Sequence, residues 1–269
     1  MSDGDFRRIA IVGVGLIGGS IAMAASRRWP RIDIARIDAG GDLSTVSGAD
    51  LVVLAAPIRA NIALLPVLER RLSPGSLVTD AGSTKRRIVG AAAERPSIQF
   101  IGGHPMAGGA RGGITEARSD LFDGRPWILT PAPGHLPASL ARLEVFVRGL
   151  GGVPHIMTPE LHDRFVGAVS HLPQMTASAL MHVVGTLAGD PGLELAGAGL
   201  HDTTRLAASP ADIWRDVAAT NADVLRAAID ALIGTLGELR DSLDSGVAID
   251  DVFTSARHWR EALLRARGE

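Results

Sequence analysis

The chain has 269 residues, 46% of them hydrophobic, a formal net charge of -2 and no cysteine. That length allows one large domain or two moderate ones. The near-neutral balance argues against a nucleic-acid partner, whose phosphates demand a basic face, and the lack of cysteine excludes disulfides and thiolate-held metals, so no metal is expected. The polar start, Met1-Ser-Asp-Gly-Asp-Phe-Arg-Arg8, does not read as a signal peptide. No apolar run reaches the length that spans a bilayer, so no membrane contact and a cytoplasmic location are expected.

In chain order, strands are predicted at Arg8–Gly13, Ile32–Asp38, Leu51–Ala55, Leu77–Asp80, Gln99–Gly102 and Trp127–Thr130, with helices at Leu16–Arg28, Ile58–Arg71 and Lys85–Glu94. This alternation predicts a parallel, doubly wound sheet. Leu51-Val-Val-Leu-Ala55 is continuously apolar, as a strand covered on both faces is. The segment from Asp38 to Asp50 is too short and glycine-rich for a full crossover helix, so a trimmed connection is expected. A helix at Leu136–Leu150 and a short strand at Gly152–Ile156 follow. Thr158-Pro-Glu160 reads as N-cap, first-turn proline and first-turn acid, and from there the pattern is wholly helical. Ser209-Pro-Ala-Asp212 starts a long helix with Ile213, Val217, Val224, Ala228, Leu232, Leu236, Leu239 and Leu243 at helical spacing. Gly246 ends it, and Ile249–Ala266 is the last helix. The reading is an α/β domain with a doubly wound sheet over residues 1–157, followed by an all-α helical domain over 158–269. So many apolar helical positions must be buried against the first domain and another copy of the same helices.

The first strand runs directly into Gly13-Val-Gly15-Leu-Ile-Gly18 and a helix follows at once. That context marks a dinucleotide fingerprint and makes the first domain an α/β Rossmann-type dinucleotide-binding domain. Gly13 permits the tight turn, Gly15 lets a pyrophosphate approach the backbone, and Gly18 lets helix and strand pack closely. Free N–H groups at the helix start, where Leu16 and Ile17 stand, face the anion. Asp38 lies 20 residues beyond Gly18. A carboxylate there accepts from both ribose hydroxyls and repels a 2′-phosphate, which favours NAD over NADP. A plain turn aspartate is the alternative, and Arg36 is near enough to soften the preference. Ala55-Ala-Pro57 leaves room at the ligand edge of the sheet, or is a simple strand-to-helix turn.

Asp80-Ala-Gly-Ser-Thr-Lys85 follows the fourth strand, with Ser83 or Thr84 placed to cap the next helix. Lys85, the single lysine beside 26 arginines, falls in the first turn, where the helix dipole disfavours a cation. It either holds an anionic ligand or is merely solvated. His104, expected just past the fifth strand, is placed to remove a hydroxyl proton while hydride leaves the same carbon. A structural loop histidine is the other reading. His171 lies one turn into a helical run that Pro173 should kink, either in the core or facing a cleft. Arg205 has the planar fork that suits a carboxylate, or pairs with Asp202.

Together Val12-Gly-Val-Gly-Leu-Ile-Gly-Gly-Ser20, Thr79-Asp-Ala-Gly-Ser-Thr-Lys85, Gly103-His-Pro-Met-Ala-Gly108, Asp120-Leu-Phe-Asp-Gly-Arg-Pro-Trp-Ile-Leu-Thr130, Ser170-His-Leu-Pro173 and Asp202-Thr-Thr-Arg-Leu-Ala207 resemble the prephenate and arogenate dehydrogenases of tyrosine biosynthesis. The resemblance implies NAD-dependent oxidative decarboxylation, by which prephenate becomes 4-hydroxyphenylpyruvate. It implies His104 as the base, Ser83 as a hydrogen-bond partner of the same hydroxyl, His171 in the substrate pocket, Arg205 on a substrate carboxylate and Lys85 near the anionic substrate or cofactor. It also implies a homodimer through the helical domain. Ala110 stands where relatives often carry an acid, and Gln174 where a second histidine is common. Arg111 would favour the more anionic prephenate. Arogenate dehydrogenation is the near alternative. A β-hydroxy acid dehydrogenase would want a catalytic lysine in the helical domain, and a nucleotide-sensing protein would have no use for His104, Ser83 and Arg205 together.

Overall fold

The computed structural model describes residues 6–109, 112–132 and 134–267; Ala110 and Arg111 lie outside the described residues. Seven strands form one sheet: β1 (Arg8–Val12), β2 (Asp33–Ile37), β3 (Leu51–Leu54), β4 (Leu77–Asp80), β5 (Gln99–Pro105), β6 (Pro126–Pro131) and β7 (Val153–Ile156), in the order β2-β1-β3-β4-β5-β6-β7. The first five strands are mutually parallel, with Val12 opposite Ile37 on one side and Leu54 on the other. Their side chains alternate between two cores. Ile9, Ile11, Leu51 and Val53 face one, and Ala10, Val12, Val52 and Leu54 the other. Helices α1 (Leu16–Arg28) and α4 (Pro137–Gly149) supply the first core with Ile21 and Phe146. Helices α2 (Ile58–Glu69) and α3 (Arg86–Ala93) supply the second with Leu65 and Ile88. Burying each such aliphatic side chain stabilises the fold by about 1.5–3 kcal/mol.

The sheet is not wholly parallel. β6 runs antiparallel to β5, with His104 opposite Ile128, and β7 then pairs parallel to β6. A parallel return needs a crossover of a dozen or more residues, usually a helix. The described residues between β5 and β6 hold only a 3-10 turn at Ile114–Glu116, whereas α4 provides the crossover from β6 to β7. The connection after β2 is trimmed as expected, to a 3-10 turn at Leu43–Val46 capped by Asp42.

Beyond the sheet, α5 (Pro159–Val166) starts where the Thr158 hydroxyl accepts from the Leu161 amide. A π-helical turn, Gly167–His171, leads into α6 (Leu172–Leu193). Pro173 sits in the first turn of α6, where its missing N–H costs nothing, so the irregularity falls before the proline as a π-turn rather than as a kink at it. Then come α7 (Ala198–Thr204), a 3-10 turn at Arg205–Ala208 and α8 (Ala211–Thr220). The long helix expected after Pro210 is interrupted at Asn221, whose backbone leaves the helical region (φ -133°, ψ 33°). Residues up to Ala222 form one compact unit, and those from Asp223 a second. The second unit carries most of α9 (Ala222–Asp241), then the positive-φ Gly246 and α10 (Val247–Arg267). Among the described residues no helix is long and apolar enough to cross a membrane.

Candidate active site

The chain leaves β1 for β2 on one side and returns to β3 on the other, which opens a crevice at the carboxyl ends of β1 and β3. Gly13 makes the turn there at φ +97°, and a Cβ on it would meet the Ala55 carbonyl carbon at 2.6 Å. A Cβ on Gly18 would meet the Gly13 carbonyl oxygen at 1.9 Å, while one on Gly15 would meet nothing within 4 Å. The crowded glycines lock strand to helix and the open one faces a cavity of about 690 Å³, which Asp38, Gly40, Leu43, Ala55 and Pro57 also line. Helix α1 has no side-chain cap, so its first-turn N–H groups stay free for an anion. Asp38 is exposed at the rim, and its Oδ1 lies 3.5 Å from the Val14 amide. The cradle therefore fits a dinucleotide pyrophosphate with a ribose at Asp38. A second cavity, about 380 Å³, shares Ala55, Ala56 and Pro57 and continues past Ile17 to Ser83 and to Ile213 of α8. Ser83 is half-buried on its wall, and its hydroxyl has no hydrogen-bond partner among the described residues.

Neither Ser83 nor Thr84 caps α3. The Thr84 hydroxyl donates to Thr220 at 2.8 Å, and the cap comes from another element. The Asp163 carboxylate of α5 accepts from the amides of Lys85 (2.7 Å) and Arg86 (3.0 Å) and from Arg86 Nε (3.2 Å). Lys85 is not offered to an anionic ligand either. Its side chain is fully buried, pairs with Asp80, and donates to the Gly103 carbonyl at 2.6 Å. Burial lowers the Lys85 pKa, and Asp80 pulls the other way. Asp80 in turn accepts from the Gly82 amide (2.8 Å) and the Gly103 amide (3.0 Å). Asp80 and Lys85 thus hold the Gly102–Gly103 backbone of β5 against the turn that carries Ser83. Both side chains are fully buried.

His104 lies within β5, not past it, because pairing with β6 lengthens the strand to Pro105. Its Nδ1 is 2.8 Å from His162 Nε2, and His162 Nδ1 is 2.8 Å from Asp163 Oδ1. His162 and Asp163 are fully buried. Burial holds the His104 pKa well below the ordinary histidine value, and charge on His162, Lys85 and His171 acts the same way. Burial also lowers His162, against the pull of its Asp163 hydrogen bond. Burial alone would raise the Asp163 carboxyl, but His162 and the two backbone amides hold it below the usual carboxylate value. An ionised Asp163 beside neutral imidazoles follows.

His171 is 1% exposed, the edge of its ring against Trp214, and burial pushes its pKa down to about 4. Asn221 sits beside it. The Asn221 Oδ1 accepts from Arg86 at 2.8 Å, so its Nδ2 is the donor, to the Asp163 carbonyl at 2.8 Å and toward His171 Nδ1 at 3.4 Å. With Nδ1 facing a donor, neutral His171 carries its proton on Nε2. That atom is buried without a partner among the described residues, a donor left for a water or a ligand to satisfy. Arg205 is exposed and makes no hydrogen bond or ion pair among the described residues; Asp202 is approached by His201 at 3.4 Å instead. Its turn is tied to α6 by Gln174, which donates to the Leu206 carbonyl at 2.8 Å and accepts from Ser209 at 3.1 Å. The structure thus joins half-buried His104 to the buried His162, Asp163, Asn221 and His171 in one network, with Ser83 on the neighbouring cavity wall, and leaves Arg205 outside it. Sequence reasoning missed His162, Asp163 and Asn221. The adjacent His-Asp pair, one turn after the Thr158 cap, was the signal available for the first two.

A dinucleotide cradle at the sheet's switch point and a neutral histidine on β5 of the same sheet define a dinucleotide-dependent dehydrogenase. Residues 13–155 match the model of the prephenate dehydrogenase nucleotide-binding domain, and residues 158–253 that of the prephenate dehydrogenase dimerization domain. The chain belongs to the prephenate dehydrogenase family. It is 31% identical to a prephenate dehydrogenase of Bacillus subtilis, over 97% of this chain and 77% of that one. Its structure is similar to that of prephenate dehydrogenase from Aquifex aeolicus in complex with hydroxyphenyl propionate and NAD+ (TM-score 0.88, 28% identity, 97% of this chain, 100% of that one). It is also similar to Synechocystis arogenate dehydrogenase (TM-score 0.81, 30% identity, 95% and 99% covered).

Proposed function

We propose that the chain converts prephenate to 4-hydroxyphenylpyruvate and carbon dioxide by NAD-dependent oxidative decarboxylation. The observation that carries this reading is His104, neutral and hydrogen-bonded through Nδ1, on the strand next to the turn of Ser83. NAD fits the cradle of Gly13, Gly15, Leu16, Ile17 and Gly18, with Asp38 on the ribose and Ala55 and Pro57 on the cavity wall; when bound, it supplies the hydride acceptor. The bare nitrogen of His104 takes the proton of the 4-hydroxyl as hydride leaves that carbon, and Ser83 orients the hydroxyl. The ring carboxylate's carbon–carbon bond then breaks. Its electron pair enters the ring, and the oxygen takes the proton back as a phenol. The buried Nε2–H of His171 donates to the substrate, and Arg205 holds a carboxylate.

The dimerization-domain match over 158–253 and the exposed Leu187, Leu195, Leu236 and Trp259 support a homodimer. The family bounds also support a functional division at 157/158, although the compact unit runs on to Ala222. A cytoplasmic location belongs to the same reading. Steady-state kcat/KM with prephenate and with arogenate, each with NAD and NADP, tests it. Prephenate with NAD is expected to be best. Turnover of neither substrate would reject the function, and a preference for arogenate would redirect it to the Synechocystis activity.

A further inference from the structure

The line of hydrogen bonds behind His104 fixes where its proton sits. Asp163 Oδ1 is a carboxylate oxygen and can only accept, so His162 Nδ1, at 2.8 Å, must be the donor. A neutral imidazole has one N–H, so His162 Nε2 is a lone pair. The atom facing it, His104 Nδ1 at 2.8 Å, must then carry the proton. The two rings meet at 66° with centroids 5.0 Å apart, edge-on rather than stacked, so the nitrogens and not the ring faces make the contact. His104 Nε2 is left bare.

Asp163 cannot turn away from this duty. It is wholly buried, and the amides of Lys85 and Arg86, with Arg86 Nε, hold its orientation. Other charged groups stand close. Lys85 is engaged by Asp80 and the Gly103 carbonyl. His171 faces Asn221. Neither offers a competing acceptor to His104 Nδ1. We propose that His162, anchored by Asp163, is a positioning residue of the reaction: it locks His104 in the tautomer that presents a bare Nε2 to the substrate hydroxyl, and its lone pair stabilises the imidazolium that forms on proton transfer. The inference rests on His104 being the base and says how this fold makes it one.

The test uses the full-length protein labelled with 15N-histidine. Protonated and bare ring nitrogens resonate far apart, and the signals lost in His104→Asn assign that residue. The wild type is expected to show His104 with its proton on Nδ1 and none on Nε2. His162→Ala should return His104 to a mixture that includes Nε2–H and lower kcat by roughly 10- to 100-fold with KM little changed, part of the ~10²–10⁴ that a general base contributes. His162→Gln keeps an acceptor toward His104 and a donor toward Asp163, so it should retain the wild-type tautomer and most of the activity. A His104 proton on Nε2 in the wild type overturns the proposal, whether or not His162→Ala folds. So does a folded His162→Ala with wild-type kcat while His104→Asn is inactive. Full activity in His104→Asn refutes the base assignment itself, and the relay with it.

Discussion

At the residue scale the proposed centre rests on three imidazoles, His162 and His171 buried and His104 half-buried. A base must be neutral to act, and burial holds His104 so at a pH well below its ordinary titration. The acid limb of kcat, expected from an unperturbed histidine near pH 6–7, should therefore lie well to the acid side of that range, which a pH–rate profile reads directly. His104→Asn removes the base and should lower kcat by about two to four orders of magnitude with little change in KM. Where Arg205 holds a substrate carboxylate as proposed, Arg205→Ala removes a contact made equally in ground and transition states, so steady-state kinetics should show a raised KM and a preserved kcat. His104, Ser83 and His171 can be singled out in the sequence because each sits in a motif at a strand edge or a helix break, and the structure places the two histidines in one network with Ser83 on the neighbouring cavity wall. Lys85 misled. Its placement at a helix start looked like a wait for an anion, but Asp80, five residues earlier, already neutralises it within the core. Asp163 was illegible for the opposite reason, since it caps a helix 78 residues away in sequence.

Elements set how those side chains meet. The parallel half of the sheet could be read from its alternating strands and helices because each crossover helix leaves its own apolar period. The reversal at β5/β6 was overlooked, although no helix had been predicted between those strands. It matters to the site, because pairing with β6 extends β5 through His104. Apolar spacing ran unbroken through Asn221 and so suggested one long helix. The break is a polar event that hydrophobic periodicity cannot register, in which a buried amide ties α3, α5 and the π-turn together. Gln174 does similar work between α6 and the Arg205 turn. Its two hydrogen bonds to that turn are worth about 0.5–1.5 kcal/mol each. Gln174→Ala should loosen the turn and raise KM by up to about tenfold at unchanged kcat; a variant with wild-type KM would mean that Arg205 is placed by packing alone.

For the whole molecule, neutral buried histidines become a pH dependence of stability. His104, His162 and His171 all have pKa values lowered by folding, so between their folded values and pH 6.5 the unfolded chain binds protons that the native one refuses. Stability is complete above about pH 6.5 and falls as the pH drops through this window. His171 alone, titrating at about 4, accounts for about 3 kcal/mol, and melting temperatures from pH 7 to pH 4 should decline in step. Association is the second property of the whole molecule. Ile233 (60% exposed) and Leu236 (56%) share one face of α9, and Trp259 of α10 is 67% exposed. Apolar side chains of this size each gain about 1.5–3 kcal/mol on full burial, which makes a partner surface the natural cover. A second copy meets that need with one self-complementary patch. Sedimentation at micromolar concentration should show a dimer. Because Ile233 and Leu236 face solvent within the chain, a paired Ile233→Arg, Leu236→Arg change should shift the sedimentation coefficient toward the monomer while leaving the helical signal and melting of the sheet unit intact. A wild type that sediments as a monomer would refute the dimer, and a variant still fully dimeric would place the interface on another face.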